Sequence, residues 1–227
     1  MDKSEYCAMT PYFGSVDFQH SRRMIALKDA GTQLVHQPGC PYIDMVRGSL
    51  LKVALDNFPR CKVFIFIDHD IIFEPETVEG LAEKLSNSEY DVLGVPYPTR
   101  QPHGKVIGFV ESDSWTAYID KEYPANFLGM GMTAIKLRVI NRLLEIYPPV
   151  NCPSTMSEIS PMFQTMITDE GWLGEDVAFC RRAQKHGYKV GIWAKPRIYH
   201  RGQYDYALED VPFFVANNET LTFNKAK

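Results

Sequence analysis

The sequence lacks any apolar run long enough to cross a bilayer. About 20 residues are needed for a span, and the longest unbroken apolar run here, Val63 to Ile67, has the length of a buried strand. The opening stretch, MDKSEYCAMTPYF, has no basic segment followed by an apolar one, so no signal peptide is expected. Positive charge is not in excess. The net charge of -4 gives no electrostatic argument for a nucleic acid or an anionic membrane as partner, though a local basic cleft would not show in it. Cysteine is sparse: Cys7, Cys40, Cys61, Cys152 and Cys180 contain no CxxC pair. An odd, irregular set reads as reduced thiols in a reducing, cytoplasmic compartment rather than as a zinc site. The sequon Asn218-Glu219-Thr220 is therefore expected to be idle. No internal repeat or low-complexity segment is seen.

What is present is enough for one core. The 227 residues, 45% apolar and 23% charged, suit a single globular domain, with a nucleotide-binding half over about 1–100 and an acceptor half over about 101–227. Strand-like Glu5–Phe13, Thr32–His36, Val63–Ile67 and Asp91–Val95 alternate with helical Asp17–Ala30, Tyr42–Phe58 and Glu76–Leu85. That alternation predicts an α/β fold, with a central mostly parallel sheet flanked by helices. Further on, Leu137–Ile146 and Glu175–His186 read as helices and Tyr188–Trp193 as a strand. Asn151–Gly171 is long and polar and reads as a mobile loop, expected to close over a ligand.

The most informative segment is Val63-Phe64-Ile65-Phe66-Ile67-Asp68-His69-Asp70. Two carboxylates follow the carboxyl end of a buried strand, where α/β sheets bind ligands. In extended backbone Asp68 and Asp70 point to the same side, and two like charges held together ask for a cation between them. A divalent metal with oxygen ligands answers that need and can bridge to a diphosphate. The plainer reading, an aspartate-rich surface turn, is weakened by the apolar strand before it. Glu175 and Asp176 open a helix, where acids also serve simply to complement its dipole, which favours their ionised form. His200 lies in a polar turn after a strand, a reasonable ligand position.

In order, the chain carries the apolar strand with Asp68-His69-Asp70, Pro75-Glu76 just after Phe73, and Gly129-Met130-Gly131. Glu175-Asp176-x-x-Phe179-Cys180-x-Arg182-Ala183-x-x-x-Gly187 and His200-x-Gly202 follow. This set resembles the GT-A glycosyltransferases, the inverting family-two-like group in particular, over about Thr10 to Gly202. The resemblance implies a GT-A, Rossmann-like nucleotide-diphospho-sugar transferase fold. It implies a nucleotide-sugar donor, a UDP-sugar, and a carbohydrate or glycoconjugate acceptor. Asp70 and His200 would bind Mn2+ or Mg2+, with Asp68 touching the ribose, or the metal through water. Thr10, Pro11 and Tyr12 would hold the nucleoside. Arg47 would face the nucleotide, or else be a solvated helix charge, and Arg100 would contact the diphosphate. Gly129, Met130 and Gly131 would let backbone approach the donor sugar, and Trp172 would wall a sugar ring. Asp176 would be the general base, or Glu175 in its place.

Two departures stand out. His69 sits in the middle of the DxD, and the Gln-x-x-Arg-Trp motif of processive enzymes is missing, with Gln203-Tyr204 the nearest approach. That favours transfer of a single sugar and leaves inverting and retaining outcomes open. Two rivals remain: a haloacid dehalogenase-type phosphatase with Asp68 as nucleophile, and an inactive nucleotide-sugar or carbohydrate-binding module.

Overall fold

A computed structural model of the chain describes all residues except 39–41, 102–104, 108–113, 154–156, 170, 196–197, 203–204, 212–213, 217–218 and 225–227. Cys40, Gln203, Tyr204 and Asn218 lie outside the described residues, as do 154–156 and 170 of the segment read as a loop.

The expected alternation is present. Strands β1 (Tyr6–Tyr12), β2 (Gln33–Pro38), β3 (Val63–Ile67), β4 (Val92–Gly94), β5 (Glu122–Pro124), β6 (Met132–Lys136) and β7 (Val190–Trp193) form the central sheet. The helices are α1 (Phe18–Asp29), α2 (Ile43–Asn57), α3 (Pro75–Asn87), α4 (Leu137–Ile146) and α5 (Glu175–Lys185). Their ends follow local chemistry. The Asp17 carboxylate caps α1 by accepting from the Gln19 and His20 amides, and Gly31 follows its end at φ +95°, a backbone conformation that side chains resist. Pro59 follows the end of α2, and Pro75 opens α3.

The sheet order is β2-β1-β3-β6-β4-β7-β5. β1 pairs in parallel with β2 and β3, and β7 with β4, whereas β6 runs antiparallel to both β3 and β4, and β5 to β7. The sheet is therefore mixed, which corrects the expectation of a mostly parallel one. The reason lies in the connection: the chain reaches β6 through the glycine turn at 129–131, beside the carboxyl end of β3. A strand entering from that end must run against its neighbours. The backbone bond from the Asp68 amide to the Gly131 carbonyl, 2.9 Å, records this meeting.

β3 is covered on both faces, as its continuous apolar run implied. Phe64 and Phe66 join the core under α2, α4 and α5, with Leu50, Ile140 and Phe179. Val63, Ile65 and Ile67 join the other core, with Leu27 of α1 and Leu81 of α3. Among the described residues no helix is long and apolar enough to cross a membrane. Cys7, Cys61, Cys152 and Cys180 are all buried, and burial pushes the Cys61 thiol up to about 11 and the Cys180 thiol up to about 12.

The segment read as a mobile loop is a packed element over much of its described length. Strands Val150–Cys152 and Ser157–Ile159 pair antiparallel, and a 3-10 turn, Pro161–Phe163, buries Met162 and Phe163 completely. The Phe163 ring stacks on Phe179 at 4.9 Å and meets Phe66 edge-on at 5.2 Å. The Arg182 guanidinium of α5 donates to the Met162 and Gln164 carbonyls. The sequence signal failed because Ile159, Met162 and Phe163 are too few and too irregular to show a period. Truncation of Phe163 to alanine empties the junction of two helices and β3, so Phe163→Ala is expected to lower unfolding stability by about 3–5 kcal/mol. Urea denaturation measures it; a change below about 1 kcal/mol would contradict this packing.

Candidate functional site

The carboxyl end of β3 runs into a turn rather than an extended segment. The Ile71 amide donates to the Asp68 carbonyl at 2.9 Å, which closes the turn around His69 and Asp70. The expectation that Asp68 and Asp70 face one cation side by side assumed extended backbone. In the turn each carboxylate has its own counter-charge.

Asp68 faces Arg47. Nη1 lies 2.9 Å from Oδ1, and Nη2 donates to Oδ2 at 3.2 Å. Nη2 also lies 3.4 Å from Glu175 Oε1, so one guanidinium joins β3, α2 and α5. Arg47 is 2% exposed and its guanidinium sits over the Phe66 ring at 5.4 Å. It is not a solvated helix charge. It reaches the site because α2 runs back from the mouth of the sheet, which places its second turn beside the end of β3. Burial works against the charge, but the Asp68 carboxylate, and less strongly Glu175, outweigh it and hold the guanidinium above its ordinary value. Nη1 is near Oδ1 in distance, yet it makes no aligned hydrogen bond, and neither does Nε.

Asp70 turns to a different pair. Its Oδ2 lies 2.9 Å from Arg100 Nη1 and 3.4 Å from His200 Nε2. Burial pushes this carboxyl up, but the hydrogen bond and charge of His200, with Arg100 behind them, bring it below its ordinary value. His200 is held by the short strand Tyr199–Arg201, which pairs with Ile71–Ile72 just past the turn, and the Arg201 amide donates to the Asp70 carbonyl at 2.7 Å. The His200 Nδ1–H donates to the Pro98 carbonyl at 2.8 Å, which leaves Nε2 to face Asp70. That is the orientation of a metal-ligating histidine. Among the described residues no cluster of three or more His, Cys, Asp or Glu side chains is placed to hold a metal. Asp70 and His200 are brought together, while Asp68 is engaged by Arg47.

Gly129, Met130 and Gly131 lie at the same mouth, and their immediate neighbour is Tyr97. A Cβ on Gly131 would fall 2.4 Å from Tyr97 Cζ, and one on Gly129 would fall 2.3 Å from its hydroxyl oxygen. The Gly131 amide donates to that oxygen at 2.9 Å. The close approach that glycine permits here is to a buried aromatic ring. Tyr97 was missed by sequence reasoning, and its only signal was the strand-like Val95-Pro96-Tyr97-Pro98 following β4.

Thr10 and Pro11 are buried at the end of β1, and Tyr12 is half-buried. A cleft of about 200 Å³ beside them is lined by Thr10, Tyr12, His20, Met24 and His36. His20 was also missed. It is buried between Thr10 Oγ1, 3.3 Å from Nε2, and the Ile71 carbonyl, 2.9 Å from Nδ1, so it ties β1 to the aspartate turn.

At the start of α5, Glu175 turns to Arg47 and Asp176 is half-buried. The helix dipole was expected to favour the ionised Asp176, but burial is stronger. Desolvation, and then the neighbouring Glu175 charge, raise the Asp176 carboxyl to about 6. Trp172 is 71% exposed on the hairpin Met166–Thr168 and Gly171–Leu173, opposite Ile167 at 76%.

No protein-family model matches the chain, and no curated protein matches it. Among solved structures, A197 from STIV aligns over 98% of this chain and 97% of its own, at 17% identity and a TM-score of 0.57. The overall fold is therefore shared with that protein. Two looser similarities carry no argument. One is to a glycosyltransferase involved in the glycosylation of the major capsid of PBCV-1, with a TM-score of 0.38, 10% identity, and 60% of this chain and 62% of that one covered. The other is to GalNAc-T7 with UDP, GalNAc and Mn2+, with a TM-score of 0.48, 12% identity, and 91% of this chain and 44% of that one covered.

The shared guanidinium sets a stability prediction. Arg47→Met leaves Asp68 and Glu175 without their cation. The expected cost is about 3 kcal/mol at neutral pH, near the lower end for breaking a buried pair because both carboxylates keep some water. Urea denaturation of parent and variant at neutral pH checks it, and a difference below about 1 kcal/mol would contradict the pairing.

Proposed function

We propose that the chain is a glycosyltransferase that moves one sugar from a nucleoside-diphosphate sugar, taken here as a UDP-sugar, to a hydroxyl of a carbohydrate or glycoconjugate acceptor, with inversion. The observation that carries the reading is the company at the mouth of β3. A carboxylate–imidazole pair, Asp70 and His200, lies on one side of the aspartate turn, and an acid raised to about 6, Asp176, lies on the other, at the helix end that Arg47 ties to the turn. An anionic leaving group and a base are the two needs of an inverting transfer.

Asp70 and His200 offer an oxygen and a nitrogen donor with the histidine already oriented, and these two residues would hold a divalent cation. Such a cation, Mn2+ or Mg2+, supplies charge neutralisation for the diphosphate as it leaves. Arg100 is 53% exposed in its side chain and can turn from Asp70 to the same diphosphate. The cleft beside Thr10, Pro11 and Tyr12 takes the nucleoside. Trp172 offers an exposed apolar face to a sugar ring. As the acceptor oxygen bonds to the anomeric carbon, its proton passes to Asp176. The bond from that carbon to the phosphate oxygen breaks, and the electron pair leaves with the diphosphate.

The phosphatase reading is disfavoured by Arg47, because one Asp68 oxygen accepts from the guanidinium and the other is buried beside it, whereas a nucleophile needs an oxygen open to substrate. The inactive-module reading gives no use for a half-buried acid with a raised pKa.

Incubation with a panel of nucleotide sugars, with release of nucleoside diphosphate as the readout, tests the reading. Chelation should abolish transfer and Mn2+ should restore it; full activity after exhaustive chelation would rule the cation out. Asp176→Asn should lose about a hundred- to ten-thousand-fold in rate with donor binding nearly intact. In the parent, the rate should rise with pH through about 6 and then level, because the base works deprotonated.

The same group makes a separate stability prediction. A carboxyl whose folded value is raised contributes stability that is present below its unfolded value and lost as pH rises through about 6. Asp176→Asn should therefore melt higher than the parent near pH 8 and no higher near pH 4. Equal melting temperatures at both would argue that Asp176 is not buried as described.

A further inference from the structure

The Arg47 guanidinium is divided unequally and is under-used. Asp68 takes both of its terminal nitrogens, at 2.9 and 3.2 Å, and Glu175 takes one at the longer distance of 3.4 Å. Two of its nitrogens, Nε and Nη1, make no aligned hydrogen bond although the side chain is 2% exposed. A buried guanidinium in a fork with one carboxylate would use its donors better than this. The pair with Asp68 is thus imperfect, and a second carboxylate, Glu175, already shares the same Nη2.

We propose that Arg47 is a positioning residue shared by the two halves of the site: when the charge of Asp68 is taken up elsewhere, the guanidinium turns its charge to Glu175 and so holds Asp176 in the ionised form that a base needs. This deepens the proposed function, because Asp68 belongs to the donor side and Asp176 to the acceptor side. Arg47 touches neither reacting atom. It acts through the carboxylates it holds. The groups that face Asp176 are Glu175 on its own helix, Arg47 on α2, the Tyr97 phenol and the Cys180 thiol. Burial pushes the phenol and the thiol up, so both stay neutral near pH 7. Among the described residues, Arg47 is therefore the cation that acts on this acid, against the Glu175 anion.

Asp68→Asn imitates the neutralisation without any ligand. The midpoint of Asp176 protonation can be read without activity, as the pH dependence of the stability difference between each background and the same background carrying Asp176→Asn. Four backgrounds suffice: the parent, Asp68→Asn, Arg47→Met and the Arg47→Met, Asp68→Asn pair. Arg47→Met should raise the midpoint by about one unit, the scale of losing a nearby opposite charge. Asp68→Asn should lower it with Arg47 present, and by distinctly less with Arg47 absent. Equal shifts in the two backgrounds would mean that Asp68 acts on Asp176 directly, and an unmoved midpoint in Arg47→Met would mean that the guanidinium does not act at all; either overturns the proposal. If Arg47→Met does not fold, Arg47→Lys takes its place. It keeps one charge but not the shared fork, so its midpoint should fall above the parent's and respond less to Asp68→Asn; a midpoint and response equal to the parent's overturn the proposal. No donor enters these measurements, so a failure of the transfer assay and a failure of this coupling are read separately.

Discussion

A guanidinium cannot shed its charge inside a protein, so one that is buried dictates what surrounds it. Arg47 is surrounded by the Phe66 ring beneath it, Asp68 in front and Glu175 beside it. Three elements far apart in sequence are thereby held to one point: the second turn of α2, the end of β3 and the start of α5. The arrangement also divides the labour of the two aspartates. Asp68 has its charge answered from within the fold, while Asp70 is answered by Arg100 and His200, of which the arginine is half in water. Asp70 is nonetheless the more buried of the two, its side chain 14% exposed against 26% for Asp68.

The second constraint is the antiparallel β6. A parallel strand in that position would have delivered its amino end to the opposite side of the sheet, and the glycine turn with it. Because β6 runs the other way, Gly131 meets Asp68 through backbone, and Tyr97 fills the space that two missing side chains leave. The floor of the site is therefore an aromatic ring with its hydroxyl on a backbone amide. The same ring meets His200 edge-on at 5.2 Å, so the floor also braces the histidine.

Much of this was readable in the residues, and the failures share a cause. Helices and strands whose signal is local were read well: Val63–Ile67 and Leu137–Ile146 are observed with those bounds, and Asp17 and Gly31 flank α1 as caps do. The meeting of Asp70 and His200 agrees with the expectation from residue type and position after a strand, whereas Asp68 was expected beside them and is paired with Arg47 instead. What was not legible depends on partners distant in sequence. Arg47 and Glu175 meet across 128 residues, and nothing at either position announces the other. Strand direction at β6 depends on the path of the connection, which hydrophobic pattern does not encode. Met162 and Phe163 are core residues in a polar stretch, and two apolar residues make no period. The ionisation of Asp176 turned on burial, which outweighed the helix dipole.

The way the site is fastened also orders its assembly. Arg47 meets Asp68 within the first third of the chain, and β1, β2, α2 and β3 form a contiguous block. Glu175, Asp176 and His200 arrive only when the last quarter has been made. During synthesis, the early block would emerge with its aspartate turn already paired to Arg47, and Asp70 would wait for its histidine. Synthesis would thus supply the scaffold first, and a chain stopped before α5 would present the aspartate turn without Glu175, Asp176 and His200.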